Sequence, residues 1–260
     1  MLVNAVLYNC SVWYNLSKKD LKELDDLDKL FFSRLFQVPR QSPFESFFLE
    51  TGVMNFETIV KSRRIVYYHN LLKRNKSQMI YSFLMTQISK PSKKDWIHQV
   101  NEDLEDFEID PSIPYLQSLS FNSLKTIVKN KSKIFALKVF IDQKSQHSKM
   151  KNLKYSDLKM QEYLLSPTLS LETKKIILRW RISMELFGEN FKAGRKEVLC
   201  PFCKLHKDSQ SESFRCKVLK GEINIVGKYE HVFENITMCP EVINTIVKIS
   251  KARKLLLNQE

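Results

Sequence analysis

An all-α fold follows from three features of the sequence. Glycine is scarce, five in 260 residues, while Leu, Ile, Lys and Phe abound, a balance that favours helices over tightly turned sheets. Apolar residues recur at helical spacing in one stretch after another, and most stretches are opened by Ser or Asn and closed by Gly or an approaching Pro. The third feature stands apart from the helices: Cys200-Pro-Phe-Cys203, with Cys216 behind it. Two thiols on one turn and a third from a later segment are spaced as a metal site. The expected architecture is therefore a multi-helix array with one small metal-binding turn near its C-terminal end.

Hydrophobic content of 43% is that of a globular chain able to bury a core. The 42 basic residues against 29 acidic leave a formal charge of +13, which points to a polyanionic partner, RNA or DNA before an anionic membrane. The plainer reading of the same surplus is a well-solvated, lysine-rich surface. Five cysteines, three of them at metal spacing, do not make a disulfide framework, so an intracellular setting, nucleus or cytoplasm, is expected. Met1 to Trp13 is apolar but broken by Asn4 and Asn9 and has no basic residue before it, a poor secretory signal. No run approaches the ~18 apolar residues of a membrane span.

Residues 2 to 13 fit a buried strand or a short helix equally, and their apolarity reads as a segment that packs on something upstream. Ser17 and Asp20 form a capping pair for a helix with Leu21, Leu24, Leu27, Leu30, Phe31 and Leu35 on one face, ended before Pro39. Ser42-Pro43 opens a second helix, stopped by Gly52. Asn55 caps a third, running to about Asn75, with Ile59, Val66, Tyr67 and Leu71 inward and Lys61, Arg63, Arg64, Lys73 and Arg74 outward. Ser77 to Ile88 is a further apolar helix. Ser92 and Asp95 open the next, which carries Trp96, Ile97, Val100, Leu104 and Phe107. Its acidic end, Glu102, Asp103, Glu105, Asp106, Glu108 and Asp110, reads as a solvated face pairing with nearby lysines in preference to a metal site.

Pro111 and Pro114 mark a linker and a subdomain boundary near residue 115. From Phe121 a long helix follows, with Leu124, Ile127, Val128, Ile134, Phe135, Leu137 and Ile141 buried and Lys125, Lys129 and Lys133 along its outer ridge. Cations at four-residue steps on a rod can track a phosphate backbone, although a solvated lysine face without a partner has the same spacing. Lys131, Lys138, Lys144, Lys149, Lys151 and Lys154 extend this tract. Tyr155 to Leu165 reads as a short helix before Pro167. Ser170 caps a helix buried between neighbours, running through Trp180 and Phe187 to Gly188, with Arg179 and Arg181 reaching past its flank. A basic loop with Arg195 and Lys196 leads to the cysteines. Tyr229 to Phe233 reads as a short helix and Pro240 to Leu257 as an amphipathic terminal one. Three regions are thus expected: a helical one over 1–115, a basic helical one over 116–190, and the metal-binding turn with the terminal helix over 191–260.

Two groups of residues carry a resemblance to a known family. Tyr8-Asn-Cys-Ser-Val-Trp13, Phe31-Phe-Ser-Arg-Leu-Phe-Gln-Val-Pro39, Leu49-Glu-Thr-Gly-Val53 and Lys61-Ser-Arg-Arg64 through His69 come in an order and spacing that resembles non-long-terminal-repeat retrotransposon reverse transcriptases, RNA-directed DNA polymerases, just downstream of the palm. Trp180-Arg-Ile, Asn190-Phe191, Cys200-Pro-Phe-Cys203, Asp208-Ser-Gln210 and Cys216 together look like the zinc knuckle that follows the thumb there. The resemblance implies thumb and post-thumb helices that grip template and primer, a Zn ion on Cys200, Cys203 and Cys216, and an upstream reverse-transcriptase core as partner in an intact element. The family's fourth ligand, a histidine, aligns with Glu212. Three outcomes stand: Glu212 supplies an oxygen; His206 swings in, the preferred route because imidazole with three thiolates is the commoner set; or the metal is lost and Phe202, Phe214 and Leu199 hold the loop by packing.

Cys10 and Cys239 read as core residues, and His69, His98, His147 and His231 lack partners at catalytic spacing. Polymerisation needs a carboxylate pair to hold two metal ions, and the one Asp-Asp pair, Asp25-Asp26, sits in the leucine-periodic helix. The chain is expected not to be an enzyme. It is expected to contact RNA or DNA phosphates through Lys61, Arg63, Arg64, Lys73, Lys125, Lys129, Lys133, Arg195 and Lys196. The alternative is a helical interaction or remnant protein that binds no nucleic acid.

Overall fold

Side-chain caps set some helix ends and not others: the helices read as opening at Ser42-Pro43 and at Ser92 begin only at Glu45 and Trp96, without a side-chain cap. In the computed structural model, which describes residues 7–38, 42–90, 92–93, 95–145, 155–185, 187, 198–223 and 240–257, the Ser17 N–H donates to the Asp20 carboxylate at 2.8 Å and the Asp20 N–H donates to Ser17 Oγ at 3.2 Å. That reciprocal pair opens α1 (Lys18–Phe36). Gly52, at φ 67°, ends α2 (Glu45–Thr51). A Cβ at this position would also collide with the backbone of Lys159 and Met160, so only glycine fits. Asn55 accepts from the Thr58 N–H at 3.3 Å and caps α3 (Phe56–Leu72). There follow α4 (Met79–Ser89), α5 (Trp96–Asp106), α6 (Ile113–Ser118), α7 (Phe121–Ser145) and α8 (Glu162–Leu165). Ser170 caps α9 (Leu171–Arg181), and α10 (Gln210–Ser213), α11 (Lys217–Ile223) and α12 (Pro240–Leu257) complete the series. Among the described residues the fold is all-α, relieved by one 3₁₀ turn and one isolated bridge between Leu199 and Lys207. No described helix is long and apolar enough to cross a membrane.

The chain divides into two units, Met1–Asp28 with Met54–Val139, and Lys29–Val53 with Phe140–Glu260. The core of the first is built by α3, α5, α6 and α7, where Ile65, Tyr68, Val100, Leu104, Leu116, Leu124 and Val128 are buried together. The expected boundary near residue 115 therefore falls inside this unit. A smaller cluster joins Leu7 and Cys10 to Phe56 and Val60 of α3. The described part of the N-terminal apolar segment is neither strand nor α-helix but a 3₁₀ turn over Cys10–Val12, tied to α5 by the Trp96 indole, which donates to Ser11 O at 3.0 Å.

In the second unit a run of phenylalanines forms the core. Phe32 stacks on Phe47 with centroids 5.6 Å apart, Phe44 meets Phe48 edge-on at 4.8 Å, and Phe48 stacks on Phe140 at 4.8 Å. This cluster explains where the reading of α1 departs from the structure. The cluster recruits Phe32 and Phe36, leaving Leu27, Phe31 and Leu35 exposed, although those three share the helical period. On α7, Ile134 and Ile141 are likewise exposed rather than buried. Residues 155–161 are not helical, the helix starting only at Glu162, and α9 stops at Arg181, where the chain turns through Ser183 at φ 55°. The expected helix over Tyr229–Phe233 lies outside the described residues.

Candidate metal centre and candidate nucleic-acid surface

The cysteine turn is shaped by its own backbone. Lys204 takes a left-handed φ of 54°, its N–H donates to Cys200 O at 2.9 Å, and the Cys200 N–H donates to His206 O at 2.7 Å. The Asp208 N–H donates to Val198 O at 2.7 Å, so the two arms of the turn lie antiparallel. This geometry aims amides at sulfur: those of Phe202 and Cys203 at the Cys200 Sγ, and those of Leu205 and His206 at the Cys203 Sγ. Cys216, at the head of α11, supplies the third thiol, and the three sulfurs lie within 4.8 Å of one another. Leu219 is fully buried against Cys200 and Cys216, and Phe202 packs at the margin.

Burial pushes the Cys200 thiol up to about 11, against the pull of its two amides. At Cys203 burial also raises the thiol, but the amides of Leu205 and His206 and the two neighbouring thiols outweigh it and the net shift is downward. Three thiols this close, with amides directed at two of them, suit a thiophilic cation that would hold them as thiolates. The residues present therefore fit a metal ion as three of its ligands. The fourth is not gathered with them. His206 is exposed, and Glu212 pairs with Arg215 at 3.1 Å. Packing by Leu199 does not replace a metal, since Leu199 is exposed; Phe214 is buried against Trp180, with centroids 5.7 Å apart.

Behind the turn lies a buried polar frame. Asp208 accepts from both terminal nitrogens of Arg253, at 2.6 and 2.8 Å, and the Arg253 guanidinium lies 4.0 Å over the Phe187 ring. Gln210 donates to Trp180 O at 3.0 Å, and the Trp180 indole donates to Ser250 Oγ at 2.9 Å. The turn is thereby joined to α9 and α12 through side chains that are all buried. Arg253 was legible only as one more cation of an amphipathic helix. Arg179 and Arg181 do not reach past the flank of α9 as expected: Arg179 pairs with Glu185 at 3.0 Å and Arg181 with the fully buried Glu50 at 2.7 Å. Glu50 also accepts from Tyr163 at 2.7 Å and from Tyr155, and burial, with the Glu50 charge beside them, pushes both phenols well up.

The cations expected to meet phosphate divide sharply. Arg64 is buried, its Nε and one terminal nitrogen on the Asp103 carboxylate at 2.6 and 3.0 Å and the other donating to Trp13 O at 2.6 Å. Lys61 bridges Glu57 at 2.8 Å and Asp106 at 2.6 Å. These two do not stand outward, because the acidic end of α5 packs on α3 and claims them. Pairing with cations was the expected role of that acidic end. Asp103, however, is not solvated but fully buried, and burial pushes its carboxyl up to about 6 against the pull of Arg64. Arg63 donates to Leu7 O at 2.8 Å, and the exposed Lys73 donates to Gln117 O. Lys125 and Lys129 are exposed, Lys125 lying 4.5 Å over the Phe121 ring, while Lys133 is half-buried and Lys131 is paired with Glu108 at 3.0 Å. His69 is buried with Nε2 3.1 Å from Leu119 O, and Cys10 is buried in the core, so both are structural. Arg195, Lys196, Lys149, Lys151, Lys154, Cys239, His147 and His231 lie outside the described residues.

Compared with protein-family models, with curated proteins and with solved structures, the chain finds no match in any of the three.

Proposed function

We propose that this chain is a non-catalytic nucleic-acid-binding segment of the kind that follows the palm in non-long-terminal-repeat retrotransposon reverse transcriptases, acting inside the cell. The observation that carries the reading is the pair Lys125 and Lys129, exposed on one ridge of α7 while other cations of the same unit are bound by carboxylates. Two such ammonium groups one helical turn apart can each neutralise a phosphate and release its counterions. The metal in this reading is zinc on Cys200, Cys203 and Cys216, with His206 or Glu212 moving to complete it. When bound it would cross-link the turn to the head of α11.

Filter binding of RNA and DNA across a salt series tests the first part. Affinity should fall linearly on a log–log plot; no binding at low salt, or binding indifferent to salt, would overturn it. Zinc content of the purified protein tests the second. Near-stoichiometric zinc that drops in His206→Ala names His206 as the fourth ligand, a drop in Glu212→Ala names Glu212, and a metal-free wild type refutes the centre. The rival reading, a helical interaction protein that binds no nucleic acid, draws on α4, where Met79 and Phe83 are 88% and 62% exposed and offer an apolar face.

A further inference from the structure

Within the first unit, α3, α7 and the N-terminal turn border an open cleft of about 460 Å³. Its composition is one-sided. Arg63, Lys125 and Lys129 contribute three cations to the lining, and among the described residues no carboxylate contributes to it. Tyr67 and Val66, both half-buried, give it an apolar wall, and Asn70 adds an amide able both to donate and to accept. A cleft of this size is in the range that accommodates a small molecule rather than a broad face. Cationic rim, flat apolar wall and amide together match the three parts of a nucleotide: phosphate, base face and base edge.

Resting on the reading of this chain as nucleic-acid-binding, we infer that the cleft takes one nucleotide of a single strand, the phosphates on its two sides held by Lys125 and Lys129 and its base laid against Tyr67. A duplex is excluded on physical grounds, because its bases are stacked and paired and cannot be laid into a side cleft without opening. A single strand has free base faces and is bound by aromatic platforms beside basic grooves. Arg63 is held by Leu7 O at 2.8 Å, so it contributes fixed positive potential more than a mobile contact. Lys125 and Lys129 supply the phosphate contacts.

Fluorescence anisotropy with short labelled oligouridylate, oligodeoxythymidylate and a blunt duplex tests this. Wild type should bind the single strands at least roughly tenfold more tightly than the duplex, and the salt slope should shrink by about 1.4 in Lys125→Gln/Lys129→Gln, two phosphates at about 0.7 each, and by about 0.7 in Lys129→Gln alone. Lys138→Gln, exposed on the same helix but outside the cleft, should bind like wild type. Both cleft lysines are exposed and neither forms an ion pair among the described residues, so the variants keep the fold. A duplex bound as tightly as the single strands, or a double variant indistinguishable from wild type, overturns the cleft while leaving nucleic-acid binding in place. A wild type that binds none of the three probes overturns both readings together.

Discussion

α3 and α7 each carry a pair of cations about one helical turn apart, and the fold uses them in opposite ways. On α3, Lys61 and Arg64 face the acidic end of α5 and are bound by Asp106 and Asp103. On α7, Lys125 and Lys129 face a cleft to which no carboxylate contributes among the described residues. The difference teaches that a basic run has no surface meaning until its counter-charges are located. A buried arginine fastened to a buried aspartate serves packing, whereas an exposed lysine with no carboxylate beside it among the described residues leaves its charge for a ligand.

The comparison is broken most directly at Arg64. Arg64→Met should cost about 3–5 kcal/mol in a urea titration, since it strands the Asp103 carboxylate in the core. Adding Asp103→Leu should recover most of that loss, and a double variant no better than the single would mean the arginine acts through its contact with Trp13 instead.

A carboxylate that lacks such an arginine offers the next test. Burial, with Asp25 beside it, raises the Asp28 carboxyl from its ordinary value of 3.8 to about 7. A folded-state value above the unfolded one gives stability that is full below about pH 4 and is lost as pH rises through about 7. Wild type should therefore be less stable at pH 8 than at pH 5 on account of this group, by a few kcal/mol at most, and Asp28→Asn should flatten that part of the profile. Parallel profiles for wild type and variant would show that the carboxyl titrates normally. The smallest effect belongs to α7: Lys129→Met should change the unfolding free energy from the same urea titration by no more than about 0.5 kcal/mol while weakening oligonucleotide binding.

What was legible was what is local. Ser17 with Asp20, Asn55, Ser170 and the left-handed Gly52 each satisfy or end a helix within four residues, and each was readable because its partner is its near neighbour. The terminal helix starts at Pro240 and ends at Leu257 as its apolar period implied. The thiol pair of Cys200 and Cys203 was equally plain, as its geometry is that of one turn. By contrast, Arg64 finds its acid 39 residues away and Arg181 finds Glu50 131 residues away. No period or spacing encodes such partners. α1 shows the same limit for apolar residues: Leu27, Phe31 and Leu35 define one stripe and Phe32 and Phe36 another, and the helix alone does not prefer either.

By itself, then, the sequence determined that the chain is helical, where several of its helices begin, and that Cys200 and Cys203 share one turn. Those properties arise from backbone hydrogen bonding and side-chain reach over a few residues. Only the tertiary structure decided which face of α1 is buried, that Arg253 holds Asp208 behind the cysteine turn, and which cations remain for a ligand. The physical reason is that burial and ion pairing are settled between segments distant in the chain, where close packing selects one partner among many that local chemistry would allow.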